Sequence, residues 1–307
     1  MLPFKELNAV ARLSVVGLFK DKHLVTDLSR VAVPVDYCDV EDGNYPEPQG
    51  APPRPPSLLP PSASLHMELS LGEQLSHGRC GTVYRAKVSR VCDPDGTMIS
   101  DVLLPPLVVK VAGRRYSDSL NRETWFYDEM ETLQGSVIPR CFGLFEAPID
   151  DGSVILPWIA HGVDRGRSDK RRGSVDIYGT NPSVPSPPRV SILLLEELGG
   201  EHLPLGGELT DDIKDQILSM FDEISRFRIT HGDVRHRNIL SAPRSPGAYP
   251  SLPSPYTGRT YDWRIFDFDG SSKWNDTFKA AKHFNSSPAS VLLRGLRRNY
   301  IIEPWLE

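Results

Sequence analysis

Proline sets the tightest limit on how this chain can fold. There are 28 prolines in 307 residues, about twice the usual share. Each fixes its own φ and removes a backbone donor, so neither a helix nor a central strand runs easily through a cluster of them. Residues 45–65 (YPEPQGAPPRPPSLLPPSASL) hold eight. They read as an extended linker, with a polyproline ligand for a partner domain as the alternative. Residues 241–260 hold five more, and the long polar stretch 150–189 is also broken by proline. These joints divide the chain into an N-terminal segment (1–44), a linker (45–66) and one domain (67–307) with insertions at 150–189 and 241–260.

Composition narrows the class further. Hydrophobic residues make up 39% and charged residues 24%, which allows a buried core and excludes wholesale disorder. A net charge of -5 and a pI near 5.9 give no electrostatic reason to expect nucleic acid or an anionic membrane as partner. Cys38, Cys80, Cys92 and Cys141 are scattered with no CxxC pair, so neither a disulfide framework nor a zinc site is indicated. No apolar run approaches the ~18 residues of a membrane span. Met1-Leu2-Pro3-Phe4-Lys5-Glu6 carries charge where a signal peptide needs an apolar core. The expectation is an intracellular protein, cytoplasmic or nuclear. The basic run Arg165 to Arg172 reads as solvated surface, with a nuclear-import or docking signal as the alternative.

Within the N-terminal segment, Val10, Leu13, Val15, Val16, Leu18 and Phe19 suit a short helix or strand interrupted by Gly17, and no role follows from them. Ordered structure is expected from about Met67. Leu71–Leu75 and Thr82–Val88 read as a strand pair, and between them lies Ser76-His77-Gly78-Arg79-Cys80-Gly81. Such a turn lets backbone N–H groups approach phosphate oxygens, although it is also an ordinary hairpin turn. Leu107–Ala112 reads as a buried strand holding one lysine, Lys110. A buried ammonium needs an anion or must snorkel to the surface. Asp118 to Leu133 reads as a helix with Leu120, Glu123, Tyr127 and Met130 on one face, and Glu123 is the natural partner for Lys110. Val190–Leu198 is a buried strand ending at Gly199-Gly200. Thr210 to Phe227 is the clearest helix, with an apolar stripe from Ile213 to Phe227 and Thr210 as its cap. Phe278 to Phe284 and Ala289 to Tyr300 suit one or two short helices, the second basic through Arg294, Arg297 and Arg298.

The chemistry concentrates in His231-Gly232-Asp233-Val234-Arg235-His236-Arg237-Asn238 and in Phe266-Asp267-Phe268-Asp269-Gly270. An Asp followed at a short spacing by an Asn, with a second Asp ending a strand, supplies a hydroxyl-orienting carboxylate and two oxygen ligands for a hard cation. Each segment alone also reads as a turn.

Taken in order, these landmarks resemble the protein-kinase-like fold over about residues 67–272. The HGD form and the proline-rich insertions look most like fungal kinase-like proteins, and HGD is shared with aminoglycoside and choline phosphotransferases. The resemblance implies an α+β, two-lobed fold: a small antiparallel β N-lobe (67–196) and a reduced, mostly helical C-lobe (197–307). It implies ATP and Mg²⁺ as cofactors and a protein or small-molecule hydroxyl as acceptor. Ser76, Gly78, Gly81 and Val83 would cover the nucleotide. Lys110, held by Glu123, would bind its phosphates, and backbone groups of Glu196 and Leu198 would meet the adenine edge. Asp233 would be the base, Arg235 or Arg237 would neutralise the γ-phosphate, and Asn238 and Asp267 would hold Mg²⁺. Three departures stand against it: Gly232 replaces the arginine of H-R-D, no A-P-E follows Asp267, and only forty residues remain after that aspartate. A nucleotide-binding scaffold without turnover and a small-molecule kinase are the alternatives.

Overall fold

Side-chain alternation along two buried strands sorts this molecule into two cores. The computed structural model describes residues 8–19, 23–33, 57–59, 65–78, 80–99, 104–113, 116–150, 153, 155–156, 188–273 and 277–302. The basic run Arg165 to Arg172, and most of the linker and of the first insertion, lie outside these residues. In β5 (Leu107–Ala112), Leu107, Val109 and Val111 enter one core while Val108 and Ala112 enter the other. In β7 (Arg189–Glu196), Val190, Ile192 and Leu194 part in the same way from Leu193 and Leu195. Covering on both faces is why these strands read as continuous apolar runs.

The first core fills a closed barrel. Its strands are β1 (Val10–Val16), β2 (Val25–Arg30), β3 (Leu65–His77), β4 (Gly81–Cys92), β5, β6 (Cys141–Pro148) and β7. They run in the order β1-β2-β6-β7-β5-β4-β3, and β3 closes the ring by pairing parallel with β1. The junction of β2 with β6 rests on two pairs, Ser29 with Glu146 and Arg30 with Phe145.

The second core lies between the outer face of the barrel and the helices α1 (Ser117–Glu129), α2 (Asp211–Arg226) and α3 (Phe278–Arg297). Two short ribbons complete it: β8 (Ile229–Thr230) with β11 (Ser272–Lys273), and β9 (Ile239–Ser241) with β10 (Trp263–Ile265). The Thr210 hydroxyl caps α2 by accepting from the Ile213 amide. α3 is one helix rather than two. Pro288 sits inside it.

This architecture corrects the α+β, two-lobed kinase-like expectation. Among the described residues the molecule is mostly β, a closed seven-stranded barrel with only three α-helices, and no helical lobe. The cause lies in residues 8–30. Val10, Leu13, Val15, Leu18 and Leu28 are at most 1% exposed, so this segment belongs to the core rather than preceding it. Without β1 and β2 the remaining order, β6-β7-β5-β4-β3, would be an open sheet with two free edges; with them both edges are paired. Ordered structure therefore begins well before Met67.

Residues 242–262 are irregular but anchored. Arg264, fully buried, donates to the carbonyls of Tyr261, Trp263 and Gly135 and to the Ser251 hydroxyl. Arg140 donates to Pro250 O at 2.7 Å and pairs at the same distance with Glu196. The Leu252 amide donates to Gly135 O. This strap ties the helical side of the molecule to the base of β6.

Candidate functional site

The parity that sorts the two cores also aims Lys110. It shares its face of β5 with Val108 and Ala112, so its side chain leaves the barrel toward α1. There its Nζ lies 2.6 Å from Glu123 Oε2 and 2.6 Å from Asp267 Oδ1. Burial works against the Lys110 charge, but Asp267 and Glu123 outweigh it and hold the ammonium well above its usual pKa. Burial raises the Glu123 carboxyl to about 7, against the pull of Lys110 and with help from Asp267 and Asp269. Asp267 is buried too, yet Lys110 keeps its pKa below the usual carboxylate range.

Asp267 is held in a conformation that side chains avoid, with φ 67° and ψ 67°. The surroundings over-determine it. Phe268 is fully buried, its ring 5.4 Å from Tyr127 edge-to-face and 5.0 Å from His231. The Phe266 amide donates to Asn238 O. His231 Nε2 lies 2.9 Å from Phe266 O, and the Asp233 amide donates to His231 Nδ1. A carbonyl only accepts, so Nε2 carries the proton and the ring is neutral. Burial lowers the His231 pKa and agrees with this.

The octet curls against the acidic turn 268–270. Gly232 has φ +70°, and a Cβ there would come within 2.0 Å of Gly270 O. A glycine at position 232 is therefore demanded by close packing. Asn238 Nδ2 donates to Asp233 O at 2.9 Å and to Asp233 Oδ2 at 3.0 Å, while Arg235 Nε pairs with Asp233 Oδ1. Both donor hydrogens of Asn238 are thus directed at Asp233, leaving Oδ1 as the acceptor a hard cation takes.

The structure therefore brings Lys110, Glu123 and Asp267 into contact, and Asp233, Asn238 and Arg235 into a second set beside them. Gly81 is required where it stands, because a Cβ would meet Val111 O at 2.4 Å. Val83 pairs with Lys110 across β4 and β5 and packs against the second core. Other predicted residues stand apart. Ser76 and Gly78 are exposed at the end of the hairpin, and the Gly78 amide donates to Gly81 O. The Glu196 carboxylate is committed to Arg140, and its amide donates to Arg140 O. Leu198 is half-buried, and Arg237 is exposed, with only its charge reaching Asp267.

Two participants were not legible in sequence. Asn285 on α3, fully buried, accepts from the His231 amide at 2.9 Å and donates to Ser225 Oγ and Ile229 O, both at 2.8 Å. Cys80 donates its thiol to Asp269 at 2.6 Å. The partners lie 54 and 189 positions away, and no local pattern marks them.

ATP and Mg²⁺ fit the donor set in part. Asp267 and the free oxygen of Asn238 would hold a divalent ion, and Lys110 would hold phosphate. Among the described residues no group of three or more His, Cys, Asp or Glu converges as a metal cage. Mg²⁺ takes one or two carboxylates plus phosphate oxygens and water, so it does not need one. Among the same residues no helix is long and apolar enough to cross a membrane.

The resemblance to protein-kinase-like proteins does not stand as a statement of family. The closed barrel and the three helices depart from that fold. No family model and no curated protein matches the chain.

Proposed function

We propose that this protein is an ATP- and Mg²⁺-dependent phosphotransferase that acts on a hydroxyl acceptor. The observation that carries the reading is Lys110, lying 2.6 Å from carboxylate oxygens of both Glu123 and Asp267 on a buried strand. An ammonium placed between a tethering acid and a cation-binding acid suits a polyphosphate. The reading rests on this site and not on fold, since one chemistry recurs on unrelated scaffolds.

Bound MgATP supplies the γ-phosphoryl group and neutralises charge on its oxygens. Asp233 orients the acceptor hydroxyl and receives its proton. Asn238 fixes the Asp233 carboxylate, and Asn238 and Asp267 provide oxygen ligands for the ion. Lys110, steadied by Glu123, binds phosphate oxygens. Arg235 stands beside Asp233 as a cation for the transferred group. Catalysis of this kind is positioning and electrostatics, with no covalent enzyme intermediate. The test is phosphate transfer by the purified chain with MgATP. Asp233→Ala should lower the rate by about 10² to 10⁴, and equal rates for the two proteins would defeat the proposal.

Nucleotide binding without turnover is favoured by a specific feature: both Asp233 carboxylate oxygens are already engaged, one by Arg235 and one by Asn238. Under either reading, MgATP at 100 times its Kd adds about 2.7 kcal/mol of stability. A thermal shift with no turnover would select this second reading.

A further inference from the structure

One side-chain contact ties the glycine turn to the acidic floor of the site. Ser76, His77 and Gly78 are exposed, whereas Cys80 is 5% exposed and Asp269 is 7% exposed. Cys80 Sγ donates to Asp269 Oδ2 at 2.6 Å, and Cys80 O accepts from the Gly113 amide at 2.7 Å. The same residue is thus fixed to the end of β5 through its backbone and to the 268–270 turn through its side chain. A thiol is a weak donor, but burial of both partners strengthens the bond by lowering the local dielectric. Asp269 follows Asp267 by two positions, so the anchor reaches the turn that carries the cation-binding acid.

We infer that Cys80 and Asp269 are positioning residues that latch the glycine turn down over the phosphates of the bound nucleotide. The inference rests on the phosphotransferase reading for what the turn covers. A turn rich in small residues is costly in entropy to hold still, and the buried Cys80–Asp269 contact adds a restraint to those of the backbone. Neither residue touches the reacting atoms. Losing the latch weakens nucleotide capture and leaves the transfer step intact, which reads as a raised KM at constant kcat.

The experiment uses the full chain and two readouts. The first is the rate of maleimide alkylation at Cys80, followed on its peptide by mass spectrometry. Wild type reacts slowly, and Asp269→Ala reacts at least about tenfold faster, the lower end of what a hydrogen bond to a charged group contributes. Asp269→Asn falls well short of that acceleration, because the amide oxygen still accepts. Equal acceleration in both variants means a charge effect alone and overturns the latch, as does no acceleration in either. The second readout is KM for MgATP. Cys80→Ala raises it about tenfold with kcat within about twofold, and Cys80→Ser restores wild-type behaviour. A Cys80→Ala enzyme with unchanged KM overturns the proposal. Should Asp269→Ala not fold, tryptic cleavage after Arg79 reads the same anchor: faster in Cys80→Ala than in Cys80→Ser supports the latch, and equal rates overturn it. If no form transfers phosphate, the phosphotransferase reading fails while alkylation still decides whether the latch exists.

Discussion

At the scale of single residues, Glu123 is pulled in two directions. Burial, Asp267 and Asp269 favour its neutral form, and Lys110 favours its charge; the balance leaves the carboxyl at about 7 in the folded protein against 4.5 as usual. The folded state therefore holds more protons than the unfolded state between those values, and this group's contribution to stability falls as pH rises through that window. Asp267 works in the opposite sense. Its lowered pKa contributes stability above the usual carboxylate range that is lost as pH falls. Glu123→Gln keeps the shape and a hydrogen-bonding oxygen but cannot titrate. We expect its Tm to lose most of the decline that wild type shows between about pH 4.5 and pH 7. Parallel Tm profiles for the two proteins would show that Glu123 is ionised throughout. Lys110 and Glu123 stood out in sequence because a charge inside an apolar pattern is conspicuous, and Asp233 because an Asn follows it five positions on. Cys80 and Asn285 were not, since a thiol and an amide look unremarkable until their partners are known.

At the scale of elements, α3 serves as a brace for the octet. Its buried Asn285 reaches both ends of the β8 segment, accepting from the His231 amide and donating to Ile229 O. Asn285→Asp replaces the donor facing Ile229 O with an acceptor. We expect a loss of about 2–4 kcal/mol in chemical denaturation, the cost of burying an unpaired polar or charged group. A loss below about 0.5 kcal/mol would place this helix outside the support of the loop. α2 and α3 also complement each other in charge. Asp211, Asp212, Asp215 and Asp222 lie on α2, and Lys279, Lys282, Arg294 and Arg297 lie on α3, which has no acid. Lys282 pairs with Asp222 at 2.5 Å. At the basic end seen in sequence, Arg297 lies 3.7 Å from Asp211. α2 itself was legible from its cap and its single apolar stripe. α3 was legible as one or two short helices, and only the structure shows that the chain runs through Pro288 as one.

At the scale of the whole molecule, barrel closure distinguishes this protein from its sequence-based expectation. Five apolar side chains of residues 8–30 are at most 1% exposed. At about 1.5–3 kcal/mol each as an upper estimate, their burial is on the order of 10 kcal/mol. That is comparable with the whole stability of a typical domain. Deleting residues 1–33 should therefore abolish cooperative unfolding or give aggregated protein, as β3 and β6 become open edges. A deleted chain that melts within about 5 °C of wild type would mean that the seven-stranded closure is dispensable.

The sequence alone determined where the chain must break, because proline acts locally on φ and on donors. It also determined which strands are buried on both faces and which titratable groups are available for chemistry. Only the tertiary structure decided that β1 and β2 belong to the barrel. Closing a sheet depends on pairing strands distant along the chain, such as Leu13 with Met67, and nothing in a strand's own pattern names its neighbour. The same reason separates the parts of the site: residue type reveals what Lys110 can do, while packing across 157 positions decides that it meets Asp267.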